Sequence, residues 1–305
     1  MALKNQTRNG MDVFRNAPYT HPVIAHSPLG LLATDLDETL AVNGIIANSA
    51  LDAARRIKAS GISILVVTGR NYRSLLHVHR LWEVADAVIF SSGAGLWEDK
   101  ADLPQECGRM GAPDVLKIRQ ILAQAGEDYC ILDPIPDTHC FRYRRHRPAA
   151  DNPDFDTRMA LYRQWARRDS HEPGDATQIL MIRPANLEIP HSLLNRLSAW
   201  SVFRSTSPLD HRSTWLEIFP AGLNKGTALK SYCRRKAIPR QRVLALGNDH
   251  NDESMLAWAG YGCTVEGAPE ELAHHYKVLP PANRGGFTAA AEEALKMFTN
   301  GHPNA

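Results

Sequence analysis

No stretch of the 305-residue chain approaches the ~20 consecutive apolar residues that a membrane-spanning helix requires, so no such helix and no membrane partner are expected. Residues 1–27 contain no continuous apolar segment of the kind that directs secretion, and they read as an N-terminal tail. The five cysteines, Cys107, Cys130, Cys140, Cys233 and Cys263, are odd in number and form no C-x-x-C pair. Disulfide and zinc frameworks are therefore not expected, and reduced thiols in a cytoplasmic protein are. Net charge is only +2, which gives no field to attract nucleic acid. The 13 histidines include no H-E-x-x-H spacing, and the chain shows no internal repeat or low-complexity tract.

What remains is ordinary globular composition, 44% apolar and 22% charged, in a chain long enough for two domains or one core with a large insertion. Continuous apolar runs at 29–34, 62–67 and 87–90 read as buried strands, with helices between them at 50–59 and 72–82. Asn48 or Ser49 is the expected cap of the first helix and Gly61 its end. Strands alternating with helices predict right-handed βαβ units and a parallel sheet. From 97 to 219 the order becomes mixed: helices at 113–124, 155–167 and 190–199 among strands at 129–132, 139–145, 178–183, 201–205 and 214–219. The βαβ rhythm resumes after Pro220. The expected fold class is α/β, a Rossmann-like parallel-sheet core (28–96 and 220–305) with an inserted α+β cap (97–219).

Open parallel sheets bind ligands beyond the carboxyl ends of their strands, so the residues after each apolar run carry the information. The first run ends in Asp35-Leu36-Asp37, the second in Thr68-Gly69-Arg70, and a later one in Gly247-Asn248-Asp249-His250-Asn251-Asp252. Lys225 opens a helix. Two carboxylates as close as Asp35 and Asp37 repel each other unless a cation lies between them or one is protonated. A hard divalent ion such as Mg²⁺ suits oxygen donors, and the Asp249/Asp252 group is placed to complete its coordination from a neighbouring strand. The Thr68 hydroxyl, the Lys225 ammonium and the backbone N–H groups after Thr68, at Gly69, suit phosphate oxygens. Together these residues describe a phosphoryl-transfer site.

The four segments resemble the motifs of haloacid dehalogenase superfamily phosphatases. Asp35-Leu-Asp37-Glu-Thr39 matches D-x-D-x-T, Val67-Thr68-Gly69-Arg70 the second motif, Lys225 the third and Gly247–Asp252 the acidic fourth. The stretch from Trp215 to Leu229 is similar to the Cof-type, sugar-phosphatase-like branch, whose class II cap is α+β. The resemblance implies an Mg²⁺-dependent phosphohydrolase for a small phosphorylated metabolite such as a sugar phosphate. It makes Asp35 the nucleophile that becomes an aspartyl-phosphate, and Asp37 the general acid and base. It puts the metal on Asp35, the Asp37 carbonyl and the fourth motif, with Thr68, Lys225 and Asn251 on the phosphoryl group. Asn248 stands where the branch usually has an aspartate, so the metal takes either the Asn248 amide oxygen or a displaced Asp249. Glu38 replaces the commoner glycine, and Ser91-Ser92 precede Gly93-Ala94 where the branch often shows Asn-Gly-Ala.

Arg70 and Ser92 are candidate substrate contacts, each weighed against a plain ion-pair or turn role. Arg142, Arg144, Arg145 and Arg147 read as a solvated cluster rather than an anion site. A phosphotransferase or phosphomutase would use the same residues, and Asn248 leaves room for a non-catalytic binding module.

Overall fold

The computed structural model describes residues 28–170 and 172–299, so the expected tail at 1–27 lies outside the described residues. Eight strands form the core sheet: β1 (Gly30–Thr34), β4 (Ile62–Val67), β5 (Ala87–Phe90), β6 (Gly95–Trp97), β7 (Gln105–Glu106), β14 (Val243–Gly247), β15 (Tyr261–Val265) and β16 (Lys277–Leu279). Their spatial order is β16-β15-β14-β1-β4-β5-β6-β7. Pairing is parallel from β16 to β5 and antiparallel at β5–β6 and β6–β7. A hairpin of β2 (Ala41–Val42) and β3 (Ile45–Ile46) follows β1. Its two-residue turn, Asn43-Gly44, has positive φ at both positions (50° and 74°), the conformation that asparagine and glycine tolerate.

Strand alternation explains the two apolar layers. Leu32 of β1 faces one side with Ile64, Val66 and Leu246, and packs on Leu51, Ile57, Ala290 and Phe298 of the helices Asn48–Ala59 and Gly286–Thr299. Leu31 and Ala33 face the other side with Leu65, Val67 and Ala245, against Leu229, Met255 and Leu256 of the helices Lys225–Arg235 and Glu253–Trp258. Being buried on both faces is why these strands read as continuous apolar runs. Full burial of a side chain such as Phe298 contributes about 1.5–3 kcal/mol.

The second sheet has the order β10-β9-β8-β11-β13-β12, comprising β8 (Asp128–Leu132), β9 (Phe141–Arg144), β10 (Ala166–Arg168), β11 (Gln178–Arg183), β12 (Ser201–Thr206) and β13 (Thr214–Phe219). One face packs Ile131, Ile179, Met181, Leu216 and Ile218 on the helices Ala112–Gln124 and His191–Leu197. On the other, Phe155 of the helix Pro153–Leu161 joins Cys130, Phe141, Leu180 and Ile182. Phe203 and Phe219, on β12 and β13, instead join the core's own cluster with Leu223 and Ile135. That part of the sheet therefore meets the core and roofs the ends of its strands.

Several expectations shift. The core sheet runs on through β6 and β7, so 97–106 belongs to it rather than to the cap. The helix expected at 72–82 is two short turns, Tyr72–Leu75 and Leu81–Val84, broken at Arg80 (φ 65°), whose guanidinium bonds Glu83 and Asn48. Asn48 is thus occupied and does not cap its own helix, whose N-cap is Ala47 with no side-chain bond. The helix expected at 155–167 ends at Leu161, and the chain turns into β10. The arginine cluster is not simply solvated: Arg142 donates to the Glu172 carbonyl (3.1 Å), Arg145 pairs with Asp156, and Arg147 with Glu127 (2.9 Å). These bonds tie cap loops together. Among the described residues no helix is long and apolar enough to cross a membrane.

Candidate active site

β1 lies between β14 and β4, so the segments that leave these three strands emerge side by side. Asp35 N–H still donates to Leu246 O (2.8 Å) and Thr68 N–H to Ile89 O (2.9 Å), which fixes both residues at the sheet's carboxyl edge. Gly247 is held by Thr264 Oγ1 donating to its carbonyl (2.9 Å). The helix carrying Lys225 begins with a reciprocal cap between Asn224 and Thr227. Gly226 lets that helix approach: a Cβ there would lie 2.1 Å from Ser254 O. Sequence positions 190 residues apart thereby meet.

Lys225 is the hub. Its Nζ donates to Asp35 Oδ1 and Asp252 Oδ1, both at 2.6 Å, and lies 3.4 Å from Asn251 Oδ1. All three charged groups are buried. Burial pushes the Asp35 carboxyl up to about 7, although Lys225 pulls it down; neighbouring Asp252 and Asp37 add to the rise. Burial also pulls on the Lys225 ammonium, but the Asp252 and Asp35 carboxylates more than reverse this and hold it above its ordinary value. Asp252 Oδ2 accepts Asn248 N–H (2.8 Å) and Asp249 N–H (3.1 Å), so Asp252 anchors its loop as well as Lys225. Among the described residues Asp35 Oδ2 takes no protein donor.

Asp37 is gripped by Arg70. Nε donates to Oδ2 (2.8 Å) and Nη2 to Oδ1 (2.6 Å), a two-pronged contact that fixes the orientation of the carboxylate. Hydrogen bonding to Asp37 holds the Arg70 guanidinium further toward its charged form, outweighing partial burial. Directly after Asp37 the chain makes a tight turn in which Glu38 has φ 52°. A left-handed residue there is the physical reason glycine is commoner at that position. Thr68 Oγ1 accepts Arg70 N–H (3.1 Å), which leaves its hydroxyl proton free to donate. Ser92 is buried, with φ 53°; its N–H donates to Thr68 O (3.0 Å), and Ser91 N–H donates to Arg70 O (2.8 Å). The Ser91–Gly93 turn therefore braces the Thr68–Arg70 loop from below. Gly69 lies within that braced loop.

The expected metal donors are only partly gathered. Among the described residues no three His, Cys, Asp or Glu side chains form a metal-sized group. Asp37 is held by Arg70, and the Asp249 carboxylate accepts His250 N–H (2.7 Å) as the cap of the turn His250–Asp252. Asn248 makes no side-chain hydrogen bond among the described residues. The available donors are the Asp35 carboxylate, the Asp37 carbonyl and the Asn248 amide oxygen. All are oxygens, and the rise at Asp35 marks a buried carboxylate that Lys225 alone does not satisfy. The donor set fits a hard divalent cation.

Across a cleft from the segment that holds Asn251 lie the cap residues Phe203 and Ser205, which the motifs did not single out. Glu217 on β13 accepts Ser205 Oγ (3.1 Å) and lies 3.4 Å from Gln178 Nε2. An acidic residue alternating with Trp215 and Phe219 on one strand face was the available signal.

A family model described as haloacid dehalogenase-like hydrolase matches residues 32–287. A 5-amino-6-(5-phospho-D-ribitylamino)uracil phosphatase of Bacillus subtilis is 26% identical over 248 residues, 77% of this chain and 86% of that one. A solved phosphatase of the same superfamily from Bacteroides thetaiotaomicron superposes with a TM-score of 0.69 at 20% identity, covering 91% of this chain and 97% of the other. A subclass IIB sugar phosphatase gives a TM-score of 0.67 at 16% identity, covering 87% and 98%. Phosphatases of this superfamily generally use a divalent metal. With its four motif segments converged on one sheet edge beneath an α+β cap, the chain belongs to the haloacid dehalogenase-like hydrolases and is a phosphatase.

Proposed function

We propose that the protein hydrolyses a small phosphate monoester, a sugar phosphate or related metabolite, through a phosphorylated Asp35, with Mg²⁺ bound by Asp35, the Asp37 carbonyl and Asn248. The observation that carries this reading is the buried Lys225 bridge between Asp35 and Asp252, with Arg70-bound Asp37 two residues on. The substrate named for the Bacillus subtilis relatives is itself a phosphate monoester on a ribityl chain, which supports the class.

Asp35 Oδ2 attacks phosphorus in line, forming an O–P bond as the bond to the leaving alcohol breaks. Asp37 gives a proton to the departing oxygen, then takes one from the water that cleaves the acyl phosphate, releasing inorganic phosphate and restoring Asp35. Lys225, the Thr68 hydroxyl, the Gly69 backbone and Asn251 hold the phosphoryl oxygens on which charge grows. Held by the Asp35 carboxylate, the Asp37 carbonyl and the Asn248 amide oxygen, Mg²⁺ would supply positive charge that offsets the repulsion between carboxylate and phosphate. Arg70 holds Asp37 aimed at the leaving group. Hydrolysis of p-nitrophenyl phosphate in Mg²⁺, lost in Asp35→Asn, tests the proposal. Turnover that survives Asp35→Asn refutes it. Release of free phosphate, rather than its transfer to an added sugar, separates hydrolase from phosphotransferase.

A further inference from the structure

The cap is attached to the core on one side. β13 runs directly into the linker at residues 220–223. The chain entering the cap lies against that linker, since a Cβ on Gly108 would be 3.1 Å from Leu223. Phe203, Phe219 and Ile135 anchor the same side and the middle of the cap in the core's apolar cluster. β10 is the opposite edge of the cap sheet, four strand spacings from β13, or about 19 Å. A contact at that edge therefore acts on the cap with the greatest leverage.

At that edge Arg73, in the core turn Tyr72–Leu75, lays its guanidinium over the indole of Trp165, 4.4 Å from the ring centre. Trp165 directly precedes β10 and is fixed to the cap. Its N–H donates to Tyr162 O (2.8 Å), its carbonyl accepts Phe141 N–H (3.2 Å), and the His139 ring meets its ring edge-on (5.3 Å, 83°). Arg73 is fixed to the catalytic edge. Its turn starts directly after Arg70 and is closed by Asn71 Oδ1, which accepts Ser74 N–H (2.9 Å). Tyr162 lies close enough to Arg70 to bear on its ionisation, so the cap turn sits beside the clamp on Asp37. Both Arg73 and Trp165 are half-buried. Among the described residues the Arg73 guanidinium has no hydrogen bond or ion pair, so the stack is what accounts for its pose.

We propose that the Arg73–Trp165 stack latches the free edge of the cap onto the loop that carries Thr68 and Arg70, which makes Arg73 a positioning residue for hydrolysis. This rests on the phosphatase reading. With the latch made, substrate meets a cap already seated over Asp35. With it lost, a share of the protein stands open, and apparent affinity falls with the closed fraction. Saturating substrate restores closure, so the loss falls on KM and not on kcat. An arginine that touched the substrate itself would act independently of Trp165.

The test is steady-state hydrolysis of p-nitrophenyl phosphate by the full chain with Mg²⁺. Arg73→Met raises KM about 2- to 30-fold, the span of cation–π contacts from exposed to desolvated, and kcat stays at the wild-type value. Arg73→Lys keeps a cation over the ring and recovers part of the loss. Trp165→Leu raises KM in the same way, and the double variant is no worse than the worse single, because both changes remove one contact. Hydrogen–deuterium exchange of the free protein reads the latch without turnover: residues 162–166 exchange faster in Arg73→Met than in wild type. An unchanged KM in Arg73→Met, a loss carried by kcat, or additive effects in the double variant overturns the latch. Absence of hydrolysis by wild type removes the phosphatase reading, and exchange then judges the contact alone: equal rates in wild type and Arg73→Met overturn it.

Discussion

Removal of the Lys225 ammonium is the perturbation with the largest consequence. Lys225→Met keeps most of the side-chain volume and strips the charge that lies 2.6 Å from both Asp35 and Asp252. Breaking a buried pair by deleting one partner costs about 3–5 kcal/mol, because the surviving charge is left without compensation. At about 2–4 °C per kcal/mol for a domain of this size, the melting temperature falls by roughly 6–20 °C. Asp35 and Asp252 are both left exposed to mutual repulsion, so the drop is larger at pH 8 than at pH 5, where Asp35 is already protonated. Adding Asp252→Asn to Lys225→Met removes one orphaned charge and recovers part of the loss. Differential scanning calorimetry on wild type, both single variants and the double variant measures the coupling. A Lys225→Met drop below 2 °C, or a double variant less stable than the sum of the singles, refutes the bridge as described.

Three other outcomes follow from the same geometry. Asp35 binds more protons folded than unfolded between about pH 4 and about pH 7, so the metal-free protein loses stability as pH rises through that window and levels off above it; a melting profile that climbs there contradicts the assigned burial. Mg²⁺ at a hundredfold excess over its Kd stabilises by about 2.7 kcal/mol at pH 8 and by less at pH 5, where it competes with the Asp35 proton, and a metal-independent melting temperature at both pH values counts against the donor set. Arg70→Lys loses the two-pronged grip on Asp37 and lowers kcat by roughly 10- to 100-fold, while the half-exposed pair changes stability by less than about 1 kcal/mol; kcat equal to wild type removes the orienting role.

The catalytic edge was legible in the sequence for a specific reason. β1, β4 and β14 are buried on both faces, so they read as unbroken apolar runs, and the polar residue that ends each run is the one at the sheet's edge. Other features depend on contacts between distant residues. Arg70 and Asp37 are 33 positions apart, and nothing local to either distinguishes a clamp from a surface pair. The break at Arg80 comes from its bonds to Asn48 and Glu83, which override a locally acceptable helix. β6 and β7 are three and two residues long, too short to show a period. Asp249 accepts the His250 N–H as the cap of the turn that follows it, a local contact that the motif spelling does not announce.

The claim that everything else serves is covalent: Asp35 carries the phosphoryl group between substrate and water. Rapid acid quenching during turnover, followed by peptide mass spectrometry, reads this directly. The account predicts a phosphate adduct on Asp35 that is acid-stable, alkali-labile and absent from Asp35→Asn. Turnover with the adduct on another residue, or with none at any quench time, contradicts it.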